Sequence, residues 1–248
     1  MEKRGSMNIS RARHIGSRHR EVGENNQDYV AVKRIRKDIA VAVLADGAGS
    51  KRHGGKTAEY LVKCVEEYCV DNACKDEFLH NITSNMFTYV NKKILNMIKD
   101  EKGLLEDYGS TMIFVVVCEG KYVAGHIGDG VILFNNLSDF KVLSLPDNGE
   151  YINQTYFVPT EIDQSHFRLY EGELKDEFCF ILASDGIAGT LFDQADNRVS
   201  SACEQIYRWC KKYSSDECNR ILKENLVKVF DKYSDDDKSI AIICDSID

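Results

Sequence analysis

Apolar positions along this chain come in two kinds of block, and blocks of one kind are grouped together. Val30–Arg34 and Ile39–Ala45 read as paired strands around the charged turn Arg36-Lys37-Asp38. Lys56–Asn72 then sets Ala58, Leu61, Val62, Val65 and Cys69 on one helical face. A second helix over about 76–99 carries Phe78, Ile82, Met86, Val90, Ile94 and Met97 at helical spacing. Strands follow at Thr111–Cys118, Tyr122–Gly128 and Val131–Asn135. Phe178–Ala183 is a continuous apolar run, short enough for a buried strand. The last third predicts helices near Arg198–Tyr213 and Asp216–Tyr233 and a closing strand, Ser239–Cys244.

Strand pair, helix pair, strand block, helix pair, strand: such segregation is unlike the strict alternation of a doubly wound parallel sheet, and it predicts packed sheets with helices outside them. No repeat or low-complexity segment interrupts the chain, and its two prolines, Pro146 and Pro159, bracket a polar stretch from Asp147 to Gln164. One domain over residues 8–248 is expected, preceded by a disordered or non-native start at residues 1–7.

Composition narrows the class. Of 248 residues, 43% are hydrophobic and 29% charged, as in an ordinary globular protein. The net charge of -8, from 40 acidic and 32 basic residues, argues against broad nucleic-acid binding. No apolar run reaches the roughly 18 residues needed to cross a bilayer, and no apolar signal core follows the charged start. A cytoplasmic protein is therefore expected, without a membrane or nucleic-acid partner. None of the nine cysteines forms a Cys-x-x-Cys pair, and they read as buried reduced thiols.

The candidate chemistry lies in aspartates at strand ends. Ala40–Ala45 runs into Asp46-Gly47-Ala48-Gly49, and Phe180–Ser184 runs into Asp185-Gly186. Gly128 delivers Asp129-Gly130, Asn26-Gln27-Asp28 opens the strand starting at Tyr29, and Asp235-Asp236-Asp237-Lys238 opens the last strand. One Asp-Gly alone is an ordinary turn. Carboxylates on several rigid strand ends, however, can gather at one sheet edge, where they repel unless cations occupy the space. An all-oxygen donor set suits Mg²⁺ or Mn²⁺. Two such ions roughly 3.5–4 Å apart can generate hydroxide and clamp a phosphoryl oxygen.

The ordered set Asn26-Gln27-Asp28, Asp46-Gly47-Ala48-Gly49, Gly109-Ser110-Thr111, Gly128-Asp129-Gly130, Ser184-Asp185-Gly186 and Asp236-Asp237-Lys238-Ser239 resembles the signature of the PP2C (PPM) metal-dependent protein phosphatases, over about residues 14–245. The loop at 45–50 and Gly149–Thr155 resemble a bacterial branch of that family. The resemblance implies an α+β fold, a four-layer α-β-β-α sandwich of two antiparallel sheets flanked by helices. It implies two or three Mn²⁺ or Mg²⁺ ions. Asp46 would bridge two of them, helped by the Gly47 carbonyl; Asp185 and Asp236 would hold the second, Asp129 a third with Asp185, and Asp28 would sit beside them. A metal-activated water would attack phosphoserine or phosphothreonine in a protein substrate, opposing a serine/threonine kinase, with Asp46 and Asp185 central. A monomer is expected, its partner being the kinase or the kinase's targets. Gly109-Ser110-Thr111 would be structural.

Departures from the pattern fall on the phosphate side. Gly23 stands where many members carry arginine, leaving His19 and Arg20 as candidate phosphate contacts and His19 as candidate general acid. Ala48 replaces a loop histidine, Gln27 a glutamate, and Asp237 an asparagine. His53 and His126 read as a solvated and a packed residue. Tyr151, Tyr156 and Phe157 could contact a peptide or pin their loop to the body. Two other readings stay open: a regulatory or binding module of this shape without turnover, and a small-molecule phosphate hydrolase on the same site. Structural calcium is disfavoured, because no Asp-x-Asp-x-Asp-Gly loop with a terminal glutamate is present.

Overall fold

The computed structural model describes residues 6–73, 77–147, 156–159 and 166–246. It contains two five-stranded antiparallel sheets. The first holds β1 (Met7–His14), β12 (Lys238–Asp245), β9 (Phe178–Ala183), β6 (Val131–Asn136) and β7 (Lys141–Ser144), in that order. The second holds β2 (Asp28–Arg36), β3 (Ile39–Asp46), β4 (Met112–Cys118), β5 (Lys121–Ile127) and β8 (Arg168–Glu173). Two helices, α2 (Gly54–Asn72) and α3 (Phe78–Asp100), cover the second sheet, while α5 (Ala202–Lys212) and α6 (Ser215–Lys228) cover the first.

Strand alternation explains the four layers. In β3, Val41, Val43 and Ala45 pack under α2 and α3, while Ala40, Ala42 and Leu44 point into the space between the sheets. In β9, Cys179, Ile181 and Ala183 face the α5–α6 side, while Phe178, Phe180 and Leu182 meet the opposite sheet. Both faces of the central strands are covered, so these strands read as continuous apolar runs, although the sheets are antiparallel. Fully burying each such Leu, Val, Ile or Phe side chain is worth about 1.5–3 kcal/mol. The expected four-layer arrangement is the one observed.

Several elements were not predicted. Met7, assigned to the frayed start, opens β1 instead: it is 4% exposed and pairs with Asp245. Residues 1–5 lie outside the described residues. The edge strands β1, β7 and β8 and the short helices α1 (Ser17–Val22) and α4 (Asp185–Leu191) were also missed. The helix expected from Arg198 begins at Ala202, because Arg198–Val199 (β11) pairs with Phe192–Asp193 (β10) as a small hairpin. The helix expected to reach Tyr233 stops at Lys228 and gives way to a 3₁₀ turn at Phe230–Lys232. Eight cysteines among the described residues are free and buried.

Two close backbone approaches hold the site loops together. A Cβ on Gly47 would lie 2.4 Å from Gly54 and Gly55 at the start of α2. A Cβ on Gly186 would lie 1.9 Å from the Asp237 carbonyl oxygen. Gly186→Ala is therefore expected to cost about 1–3 kcal/mol, read as a lower thermal midpoint. Gly189→Ala, in the same helix with open space around its Cβ, should leave stability within about 0.5 kcal/mol or raise it.

Candidate metal centre

All five predicted acidic positions lie at one end of the sandwich. Asp28 and Asp46 are direct cross-strand partners at the ends of β2 and β3. Asp129 lies between β5 and β6, Asp185 starts α4 directly after β9, and Asp236 precedes β12. The backbone of Asp46 is held by its neighbours: its N–H donates to Thr111 Oγ1 at 2.9 Å, and its carbonyl accepts from Ser110 Oγ at 2.8 Å and Thr111 N at 2.9 Å. That is the structural role expected of Gly109-Ser110-Thr111. Gly47 N–H donates to the Gln27 carbonyl at 3.1 Å, locking the two loops side by side.

The electrostatics are those of crowded acids. Asp28 is fully buried, and neither carboxylate oxygen has a hydrogen-bond partner. Burial, with Asp185 and Asp237 adding repulsion, pushes its pKa up to about 8, although the nearby Ser239 and Ser184 hydroxyls work the other way. Asp46 is driven well above the usual carboxylate range by burial, then by Asp28, Asp185 and Asp129. Asp185 is pushed up to about 6 by the enclosing cleft, then by Asp129 and Asp236. Asp185 is nevertheless an exposed residue, so water moderates this repulsion.

These residues suit hard cations on one decisive observation: a buried carboxylate with two unpartnered oxygens, ringed by further carboxylates, needs positive charge beside it. Among the described residues, no three His, Cys, Asp or Glu side chains already stand in ligating geometry. Both oxygens of Asp236 accept from Arg18 Nη2, at 2.9 and 2.8 Å.

The phosphate-side candidates His19 and Arg20 both have partners within the protein. His19 is turned inward, 7% exposed, with Nδ1 3.0 Å from Asp237 Oδ2, close enough to pair but off the line of a hydrogen bond. Its Nε2 lies 3.3 Å from the Gln27 amide nitrogen. Arg20 pairs with Asp231 at 3.0 Å. The cation beside the aspartates is Arg18, which sequence reading passed over because the usual arginine is sought nearer to Asn26. Lys238 was also missed: fully buried, its Nζ donates to the Asp236 carbonyl at 2.7 Å and to Asp231 at 3.1 Å. An unbroken acid–lysine–apolar sequence was the only available signal. Asp237, read as a neutral change, accepts from Gly16 N at 2.8 Å and Gln27 N at 2.5 Å.

The His53 ring lies tilted against Tyr108, with centroids 4.8 Å apart, and His126 is packed as expected, its pKa held well below the ordinary range by burial and Arg168. Tyr156 stacks on His166 and packs against the core, which favours the pinning role; Tyr151 lies outside the described residues. Among the described residues, no helix is long and apolar enough to cross a membrane.

A model of the family described as protein phosphatase 2C matches residues 15–231. The chain belongs to the protein phosphatase 2C family. No curated protein matches it in sequence. Its fold is similar to the catalytic domain of the serine/threonine protein phosphatase PstP in complex with two manganese ions, at 16% identity and TM-score 0.68, covering 96% of this chain and 97% of that one. It is also similar to the S. agalactiae serine/threonine phosphatase, at 18% identity and TM-score 0.66, covering 96% and 98%. PppA, a key regulatory component of the type VI secretion system of Pseudomonas aeruginosa, matches at 13% identity and TM-score 0.66, covering 97% of each.

Because Asp28 keeps a proton when folded that it loses when unfolded, metal-free protein should lose stability as pH rises from about 4 to about 8. Asp28→Asn is expected to flatten that fall and to stabilise metal-free protein at pH 8 by about 1–3 kcal/mol, while weakening Mn²⁺ binding. Calorimetric unfolding at pH 5 and pH 8 and a Mn²⁺ titration check both halves.

Proposed function

We propose that this phosphatase-family protein hydrolyses phosphoserine and phosphothreonine in proteins and so opposes a serine/threonine kinase. The observation that carries the reading is the buried, unpartnered Asp28 carboxylate among Asp46, Asp129 and Asp185. Asp46, Asp185 and Asp236 would hold two divalent cations, Mn²⁺ or Mg²⁺, with the Gly47 carbonyl, Asp28 and Asp129 completing the donors. When bound, such ions acidify water and neutralise charge on the phosphoryl oxygens. The chain's own part is positional. β2 and β3 hold Asp28 and Asp46 in fixed register, and the tie between Asp237, Gly16 and Gln27 holds the flanking loops together.

Arg18 takes the phosphate-binding role in this reading. Its Nη2 already donates to both oxygens of a carboxylate, and a guanidinium turned to present two nitrogens suits a phosphate. Transfer of Arg18 from Asp236 to substrate would free Asp236 for metal. His19 then positions the loop and does not act on the leaving group. Arg18→Ala is expected to tighten Mn²⁺ binding while raising KM for phosphorylated substrates about tenfold, by isothermal titration and steady-state kinetics.

A second reading, a binding module of the same fold without turnover, is favoured by the engagement of Asp236 with Arg18. Full-length protein assayed on p-nitrophenyl phosphate and a phosphothreonine peptide, with Mn²⁺, Mg²⁺ or EDTA, separates the two. The enzyme reading expects metal-dependent release of phosphate, with the peptide preferred, and a loss of at least about 100-fold in Asp46→Asn and Asp185→Asn. Binding of Mn²⁺ without phosphate release from either substrate would favour the module. Absence of divalent-metal binding sinks both the metal centre and the enzyme.

A further inference from the structure

Two hollows are bordered by residues adjacent in the chain and by the two strands of one hairpin. The first, of about 540 Å³, is bounded by Asp129 and Asp185 on the metal-centre side and by Phe192, Asp193 and Gln194 on the other. The second, of about 410 Å³, is lined by Lys141, Leu145, Arg168, Tyr170 and Val199. Consecutive residues Leu145 and Pro146 border one hollow each, and the β10–β11 hairpin presents Phe192–Asp193 to the first and Val199 to the second. The hollows are therefore neighbours, and together they are read as one track leading out from the aspartates.

The far end differs in chemistry from the near end. Arg168 is fixed: Nη1 donates to the Leu145 carbonyl at 2.7 Å, and Nη2 lies 3.2 Å from His126 Nδ1. Its Nε is buried without a partner. Neither Arg168 nor Lys141 has an ion-pair partner among the described residues. Leu145, 44% exposed, and Val199 add apolar surface beside them. A half-buried, preorganised guanidinium with a lysine nearby favours a carboxylate. At the near end Asp193, which is not among the metal-site aspartates, repels one. In addition, β7 is the last strand of its sheet, with an open edge among the described residues to which an extended peptide can add.

We propose that this track is a docking groove for the phosphorylated protein substrate, and that its far end, at Lys141 and Arg168, binds an acidic side chain followed by an apolar one. The proposal rests on the phosphatase reading above. An acidic residue next to the phosphorylated residue is disfavoured by Asp193, while one further along the chain is selected.

The test uses full-length protein and phosphothreonine peptides carrying Glu-Leu or Gln-Leu at increasing distances on either side of the phosphothreonine. At one spacing, kcat/KM for the Glu peptide should exceed that for the Gln peptide about five- to tenfold. Lys141→Glu should remove the preference, Leu145→Ser should weaken both peptides, and neither should change p-nitrophenyl phosphate turnover. Equal rates for Glu and Gln at every spacing, or a Lys141→Glu loss equally large on p-nitrophenyl phosphate, would overturn the groove. Should no substrate be turned over, the phosphatase reading fails by itself. Fluorescence anisotropy of labelled, unphosphorylated Glu-Leu and Gln-Leu peptides then decides the groove: a Glu preference lost in Lys141→Glu supports it, and equal binding overturns it.

Discussion

Asp28 and Asp46 face each other across β2 and β3, and Asp129 and Asp185 add their charge to the same cleft. Left to itself, such a cluster would spread or take up protons. Holding it demands a backbone that cannot yield, and the surrounding structure provides one. Two cross-strand ladders end there, the Ser110 and Thr111 hydroxyls and the Thr111 amide grip the Asp46 backbone, and Arg13 binds the Asp28 carbonyl at 2.8 Å. None of these contacts neutralises the carboxylates; they fix the places where charge accumulates.

That rigidity is set by three apolar layers, not by the site loops. One layer lies between the sheets, and one lies under each helix pair. A strand packed on both faces cannot shift register by one residue without exchanging two apolar sets, so the strand ends are fixed as firmly as the core. Glycines then let the loops approach: Gly186 meets the Asp237 carbonyl, and Gly47 meets the start of α2, at distances that leave no room for a Cβ. Core packing, loop contact and carboxylate placement are consecutive parts of one construction.

The central strands and long helices were legible because their apolar patterns are strong in the sequence itself. β3 is buried from Ile39 to Ala45, and α3 repeats Ile82, Met86, Val90 and Ile94 on its inner face. The edge strands were not, for a physical reason. β8, Arg-Leu-Tyr-Glu-Gly-Glu, has no fully buried residue and alternates only between half-buried and exposed; its partner β5 defines it, and local preference does not. Aspartate positions could be read because each follows or precedes an apolar run. Side-chain direction could not. Nothing local announces that His19 points inward to Asp237, or that Arg18 rather than Arg20 reaches the acids.

Three consecutive acids show how far direction governs role. Asp235 contributes its carbonyl to Arg18 N at 3.1 Å. Asp237 is buried, and both of its oxygens are used, by Gly16 N–H on one side and Gln27 N–H and His19 on the other. An oxygen pair so committed cannot turn to a cation without leaving two backbone donors unsatisfied, a cost of about 1–3 kcal/mol each. Asp236 is held by Arg18, whose side chain is 54% exposed, and its Oδ1 accepts from one backbone donor, Asp237 N, at 2.9 Å. Exposed pairs of that kind are weak and readily exchanged. Side-chain direction therefore makes one aspartate a structural tie and leaves its neighbour, in the same turn before β12, the freer of the two to change partners.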